Sequence, residues 1–97
     1  MSQSFTAIAT LIAKPDQQAR LQRELSALVP PSRDEAGCQY YELHQDAAQP
    51  DTFYVLERWD DEVALEFHNN TAHFQHFIAQ TREAIEHFEL KRLQLII

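Results

Sequence analysis

Residues 4–13 (SFTAIATLIA) limit the possible folds of this chain most strongly, because neither face of the strand that they predict is clearly polar. Successive side chains of a strand point to opposite sides, which places Phe5 and Leu11 on one face and Ile8 and Ile12 on the other. A sheet with one face in water usually alternates apolar with polar residues. We therefore expect both faces of this strand to be covered.

The rest of the chain predicts two helices and three more strands. Helices are indicated by apolar residues at spacings of three and four, and strands by short apolar and aromatic runs between turn formers. The predicted elements are, in order, a helix over 15–29, strands over 38–45 and 52–59, a helix over 60–87 broken at Asn69-Asn70, and a strand over 90–97.

Residues that start or stop helices predict the ends of the first helix. Pro15-Asp16 suits its first turn, and Pro30-Pro31 should end or kink it. Ser32 with Glu35 resembles a capping box for one more short turn. Gly37 then stands where a residue in the left-handed conformation often follows a helix.

The second helix should begin with Asp60 as its cap and restart at Thr71 after the break. Its first part should turn four residues inward, namely Val63, Ala64, Phe67 and His68.

The resulting βαββαβ order is typical of a ferredoxin-like α+β sandwich, with an antiparallel four-stranded sheet and helices on one face. We expect residues 1–97 to form a single domain. The second apolar sheet face predicts a homodimer joined sheet to sheet.

The charge of the chain argues against some classes of partner. Eight basic and fifteen acidic residues give a net charge of −7, which disfavours nucleic acid and anionic membrane surfaces. The single cysteine, Cys38, rules out an internal disulfide. The N-terminus shows no signal-peptide pattern, and no apolar run approaches the ~20 residues of a membrane span. We expect a soluble, cytoplasmic protein.

An ordered set of residues between positions 37 and 74 resembles the antibiotic biosynthesis monooxygenase (ABM) family, and within it the small quinol monooxygenase-like proteins. The set consists of Gly37-Cys38, Tyr41, Asp46, Pro50, Phe53, Glu57, Trp59, Ala64-Leu65, His68 and His73-Phe74. The resemblance implies a ferredoxin-like fold that dimerises into an α/β barrel. It also implies oxidation of a small quinol or hydroxylated aromatic by O₂, since some members do this without metal, flavin or haem.

This reaction requires a base that removes the phenol proton in a pocket from which water is excluded. O₂ reacts with an organic molecule once an electron has moved to it, and a phenolate gives up an electron more readily than a phenol does. A neutral histidine is suited to removing the phenol proton. We predict His68 as the base or polar anchor, with His73 assisting at the rim. The alternatives are that His68 is a structural residue bonded to Glu57 or to backbone, and that His73 is structural at the helix restart.

The predicted substrate-binding residues share strand faces or helix stripes near these histidines. They are Trp59, Glu57, Tyr41, Phe53, Phe67, Phe74 and Phe77. The alternative is that the aromatic residues form core and that Glu57 pairs with Arg58 or Arg92.

We predict no metal and no other cofactor. His73 and His76 have i, i+3 spacing without a companion motif, and His44 and His87 fit no ligand pattern. Haem-degrading relatives would be expected to carry a Trp at position 68, a ligating His near Ile78 and an Asn on the first strand, all of which differ here.

Two other functions remain open from the sequence. The run from residue 53 to 74 is also similar to a branch of the fold that handles a phosphorylated signalling metabolite, which would imply an isomerase or degradative enzyme. A non-enzymatic dimeric ligand-binding or stress protein is the third possibility, and side chains filling the space around His68 would favour it.

Overall fold

The computed structural model of this chain describes residues 3–97, which form one antiparallel sheet and three helices. The four strands are ordered β2-β3-β1-β4, and every neighbouring pair is antiparallel. This βαββαβ order with a broken second helix confirms the predicted ferredoxin-like α+β fold. The elements are β1 (Phe5–Ala13), α1 (Gln18–Arg33), β2 (Cys38–Gln45), β3 (Thr52–Trp59), α2 (Glu62–Asn69), α3 (Ala72–Thr81) and β4 (Ile85–Leu93).

The strands β2 and β3 have the predicted bounds, whereas the end of the chain differs from the prediction. The helix α3 ends at Thr81 instead of near residue 87, and β4 begins at Ile85, where it pairs with Ala13. The central strand β1 has backbone N–H and C=O groups on two edges, and β3 satisfies only one of them. The hydrogen bonds that β4 makes along this second edge therefore outweigh the tendency to form a helix that the spacing of its apolar residues indicated.

The helix α1 starts and ends later than predicted. It begins at Gln18, because Asp16 has a left-handed φ of 68° and lies in the turn before the helix. It continues through Pro30-Pro31 to Arg33, so Ser32 lies inside the helix and caps no further turn. The prolines remove backbone N–H donors in the last turns only, and burial of the leucine side chains of α1 in the core outweighs that loss.

Gly37 is required by a close contact and not by its backbone conformation. It has no positive φ, so the predicted left-handed conformation was wrong. A Cβ atom at this position would overlap with the Cβ atom of Ala64. The backbone N–H of Asp60 also donates a hydrogen bond of 2.9 Å to the carbonyl of Gly37. The missing side chain therefore lets the loop before β2 pack directly against α2.

Side-chain caps begin both of the short helices. The Asp61 carboxylate accepts a hydrogen bond of 2.8 Å from the N–H of Ala64, so the cap of α2 is Asp61 and not the predicted Asp60. Thr71 caps α3, because its hydroxyl accepts a hydrogen bond of 3.2 Å from the N–H of Phe74. The predicted break at Asn69-Asn70 and restart at Thr71 are thus confirmed.

The inward face of α2 is narrower than predicted. Leu65 and His68 are each 2% exposed, but Val63 and Phe67 are 73% and 64% exposed, so the prediction that these two face inward was wrong. The contact between Ala64 and the loop before β2 fixes how the helix is rotated about its axis. A spacing of three residues then brings one leucine and one histidine to the sheet.

The hydrophobic core lies between the sheet and the helices. On the inner face of β1, every side chain from Ala7 to Ala13 is buried, and α1 contributes three buried leucines. The inner face of β3 is equally buried and ends in Trp59, which is fully inaccessible to solvent. Within residues 3–97, no helix is long and apolar enough to cross a membrane.

The contact at Gly37 makes a testable prediction about stability. We expect Gly37→Ala to lower the free energy of unfolding by about 1–3 kcal/mol, because the added methyl group overpacks against Ala64. Urea denaturation measures the change. In the background of Ala64→Gly, which removes the opposing methyl group, the same substitution should cost clearly less. An equal cost in both backgrounds would contradict the contact.

Candidate functional site

A buried carboxylate joins the two predicted site histidines. Glu35 lies in the loop after α1, and its side chain is 5% exposed. Its Oε2 atom lies 2.7 Å from Nδ1 of His68 and 2.6 Å from Nε2 of His73. A carboxylate only accepts hydrogen bonds, so each imidazole donates an N–H to this oxygen. We call Glu35, His68 and His73 the His–Glu–His cluster.

The break between α2 and α3 brings the two imidazoles together. His68 lies in the last turn of α2 and His73 in the first turn of α3. The Thr71 hydroxyl donates a hydrogen bond of 2.8 Å to the carbonyl of His68 while it caps α3, which fixes the connection between the helices. The two ring centroids are 6.1 Å apart. Both rings therefore reach one carboxylate from different helices.

The ring of His68 is surrounded by aromatic side chains. Its centroid lies 4.7 Å from that of Trp59, 4.8 Å from that of Phe74 and 5.5 Å from that of Tyr41. This burial lowers the pKa of His68, and the nearby Glu35 opposes the shift only in part. The ring is therefore neutral at physiological pH. With its proton on Nδ1, the Nε2 atom has a free lone pair.

An apolar cavity of about 50 Å³ adjoins His68. No hydrogen bond within the described part of the chain involves Nε2 of His68, and the ring forms part of the cavity wall. A wider cleft of about 320 Å³ lies beside it. The two spaces share the walls formed by Leu11, Asn69, Phe74, Phe77, Phe88 and Leu90. The inner space has the volume of a few water molecules, and the outer cleft is large enough for a small ring.

A second buried carboxyl group lies on the cavity wall. Glu57 is 4% exposed, and its Oε1 accepts a hydrogen bond of 2.8 Å from the indole N–H of Trp59. Burial raises the pKa of Glu57 to about 7, although the bond from Trp59 acts in the opposite direction. Burial also raises the pKa of the neighbouring Tyr41 phenol. Near neutral pH, Tyr41 is therefore protonated and Glu57 is divided between its acid and its carboxylate form.

The structure brings together most of the residues predicted for the site. The predicted residues that line the cavity are His68, Tyr41, Glu57, Phe74 and Phe77. His73 lies on the other side of Glu35, where its side chain is 26% exposed. Trp59 packs behind the ring of His68, and Phe53 is a core residue at 1% exposure. Phe67 is turned to solvent and lies outside the cavity.

Glu35 is the residue of the site that sequence reasoning missed. The Ser32–Glu35 spacing suggested a helix cap, and no local pattern links Glu35 to a histidine 33 positions later.

The pairings suggested for Glu57 were also wrong. His68 bonds to Glu35, the Arg58 side chain bonds to Gln39, Thr6 and Ser4, and that of Arg92 bonds to Glu62.

Other potentially reactive side chains lie apart from this site. Burial raises the pKa of the Cys38 thiol to about 11, so the residue is a poor nucleophile. His44 and His87 are exposed on the strands and lie near Glu42 and Glu89. The one group of three or more potential metal ligands in the described residues is the His–Glu–His cluster.

Comparisons with known proteins place the chain in a family. Residues 4–80 match the family described as antibiotic biosynthesis monooxygenase. The crystal structure of PA3566 from Pseudomonas aeruginosa has a TM-score of 0.95 and 43% sequence identity, and the match covers 100% of this chain and 98% of that chain. The structure of Rv0793 from Mycobacterium tuberculosis has a TM-score of 0.89 and 26% identity, with 97% of this chain and 96% of that chain covered.

A curated relative agrees with this assignment. "Putative monooxygenase YcnE" from Bacillus subtilis is 40% identical over 77 residues, which are 79% of this chain and 81% of YcnE. The matched family segment includes β1 to α3 and all members of the His–Glu–His cluster. The chain therefore belongs to the antibiotic biosynthesis monooxygenase family.

Proposed function

We propose that this protein is a cofactor-independent monooxygenase that oxidises a small quinol or hydroxylated aromatic with O₂. The observation that carries the proposal is the placement of His68, whose Nδ1–H bonds to a buried carboxylate, whose Nε2 makes no hydrogen bond in the described residues and whose ring forms part of an apolar cavity wall. The family assignment supports the reaction class. The aromatic walls of the cavity support a flat, largely apolar substrate.

In the proposed reaction, His68 acts as a general base. The substrate hydroxyl donates its proton to Nε2, and Glu35 stabilises the resulting imidazolium through the hydrogen bond from Nδ1. The phenolate then transfers one electron to O₂, which gives a phenoxyl radical and superoxide. These combine at a ring carbon to give a peroxide, which takes up the proton held by His68. Loss of the hydrogen on that carbon as the O–O bond breaks leaves a ring carbonyl and one molecule of water. Because the substrate itself supplies the electrons, the first steps need no other redox group.

The cavity walls contribute a second polar group and exclude water. Glu57 in its acid form donates a hydrogen bond to another oxygen of the substrate, and Tyr41 keeps its proton for the same use. Phe74 and Phe77 separate the inner space from the outer cleft, where the ring enters. Low polarity around His68 strengthens the electrostatic contacts of the bound ring. His73 holds Glu35 from the solvent side.

The alternatives have less support. A phosphorylated metabolite needs cations, and Arg82 is the one basic side chain that lines the two cavities in the described residues. A binding protein without activity was expected to have the space at His68 filled by side chains, but a cavity of about 50 Å³ lies there. The proposal of a monooxygenase explains the base and the cavity together.

We also propose that two copies associate through the outer sheet face. Ile8, Ile12 and Leu56 are only partly covered on this face, and Tyr40 and Leu93 are 38% and 41% exposed. The helices cover the inner face alone, so a second sheet would remove this apolar surface from water. The active unit in this proposal is a homodimer with one cavity in each subunit.

The base role of His68 predicts a large loss of activity on substitution. We expect His68→Ala to lower the rate of O₂ consumption with a reactive quinol at least ~100-fold, because general acid–base catalysis contributes at least that much. A panel of quinols and an oxygen electrode measure the rate, and circular dichroism checks the fold. His76→Ala, an exposed histidine on α3, is the matched control and should keep the activity. Unchanged turnover in His68→Ala would exclude the base role.

The raised pKa of Glu57 predicts how stability changes with pH. Folding raises this pKa from 4.5 to about 7, so between these values the folded state binds more protons than the unfolded state. The contribution of Glu57 to the free energy of unfolding is therefore largest below pH 4.5 and falls as the pH rises to 7.

Glu57→Gln isolates this effect, because the amide oxygen still accepts the hydrogen bond from Trp59. We expect the stability of the wild type relative to Glu57→Gln to fall by about 3 kcal/mol across that pH range. Urea denaturation at several pH values measures the difference. A difference that stays constant with pH is the contrary result.

The outer sheet face predicts the oligomeric state. We expect sedimentation to show a dimer for the wild type and a monomer for Leu56→Asp, because a charge would be buried between the two sheets. Phe67→Asp introduces the same charge at an exposed position on α2 and should leave the dimer intact. A monomeric wild type, or a Leu56→Asp protein that still dimerises, would show that this face is not the interface.

A further inference from the structure

The carboxylate of Glu35 is a buried negative charge whose partners are two imidazoles. Within the described part of the chain, no Lys or Arg nitrogen lies within 4.0 Å of it, and its ion pairs are those with His68 and His73. A histidine, unlike Lys or Arg, is not a permanent cation. The Oε1 atom of Glu35 is buried without a hydrogen-bond partner. Buried charges are usually paired or bound to a metal, so the site favours an added cation.

The three side chains offer suitable metal ligands. Nδ1 of His68, Nε2 of His73 and a carboxylate oxygen of Glu35 all lie within 4.8 Å of one another. A zinc ion would lie about 2.0–2.2 Å from each ligand atom. At a tetrahedral angle this places neighbouring ligand atoms roughly 3.3 Å apart, compared with 2.6 and 2.7 Å here. Each of these two distances would therefore lengthen by about 0.6–0.7 Å when the ion binds.

An ion can reach this cluster from solvent. His73 is the exposed member, with 26% of its side chain accessible. A cleft of about 250 Å³ lies beside it, bounded by Glu24, Ala72 and His76. A water molecule from this side can complete a four-coordinate site.

We propose that the His–Glu–His cluster binds one divalent transition-metal ion of the Zn²⁺ or Co²⁺ class through Glu35, His68 and His73. Two imidazoles and one carboxylate suit these ions, whereas Mg²⁺ and Ca²⁺ prefer a shell of oxygen ligands. Binding of the ion goes beyond the monooxygenase activity proposed above and is tested without it, whereas the effect of the ion on catalysis rests on that activity.

Metal binding changes which proton the active-site histidine carries. When the ion occupies Nδ1 of His68, the single proton of the neutral ring must reside on Nε2, which borders the cavity. Nε2 then donates a hydrogen bond and has no lone pair to accept the substrate proton. The bound ion and catalysis by His68 therefore exclude one another, and the metal acts as an inhibitor.

The test is a Co²⁺ titration of the whole chain after removal of metals with a chelator. We expect one Co²⁺ per chain, with the visible d–d absorption of a four- or five-coordinate ion, and displacement by Zn²⁺. At a free Zn²⁺ concentration of about 100 Kd, the melting temperature should rise by roughly 10 °C or more. Mg²⁺ at the same concentration should leave it unchanged. No saturable absorption and no thermal shift would overturn the proposal.

Three conservative variants locate the site. His73→Gln and Glu35→Gln should weaken Co²⁺ binding by more than the 10–100-fold that loss of an outer-sphere partner typically costs. His73→Gln alters a partly exposed side chain, so it remains informative if the buried Glu35→Gln chain fails to fold. His87→Gln, which changes an exposed histidine on β4, is the matched control and should bind Co²⁺ as the wild type does. Binding that survives in His73→Gln, or that is lost in His87→Gln, would overturn the proposed site.

Discussion

The hydrogen bond between Glu35 and His68 couples the helical layer to the cavity. It is 2.7 Å long, both side chains are almost fully buried, and its two residues come from α2 and from the loop after α1. A buried hydrogen bond to a charged group is costly to break on one side only, because the remaining group is left without a partner. This bond therefore fixes the tautomer of His68 and also the position of the loop that leads into β2. The chemistry of the site and the packing of the fold depend on the same contact.

The sequence was sufficient for features that depend on neighbouring residues. Alternating side chains and turn formers placed β2 and β3 correctly, and Thr71 identified the restart of the helical layer. It was insufficient where contacts with a distant part of the chain determine where an element begins or ends. The helix α1 continues through Pro30-Pro31 because of core packing, and β4 begins early because β1 has a second edge to satisfy.

The site shows the same division between local and distant effects. His68 was identified from the sequence because it follows Ala64 by four residues on the predicted inward stripe of the second helix. Glu35 does not stand out, because its role depends on how the loop after α1 packs against α2, which follows much later in the chain. Phe67 was misassigned for the opposite reason. Its position next to His68 suggested the cavity, but a neighbour in a helix points about 100° away, and here that direction is solvent.

The small side chains on the inner face of β1 have a consequence for the range of molecules that the cavity admits. Ala9 is 5% exposed and forms part of the wall next to His68, on the central strand of the sheet. This strand is held by partners on both sides and cannot move outward to make room. Any carbon added at position 9 would thus take its volume from the inner cavity. The methyl group of Ala9 therefore limits how far a group can extend from the outer cleft into the space beside His68.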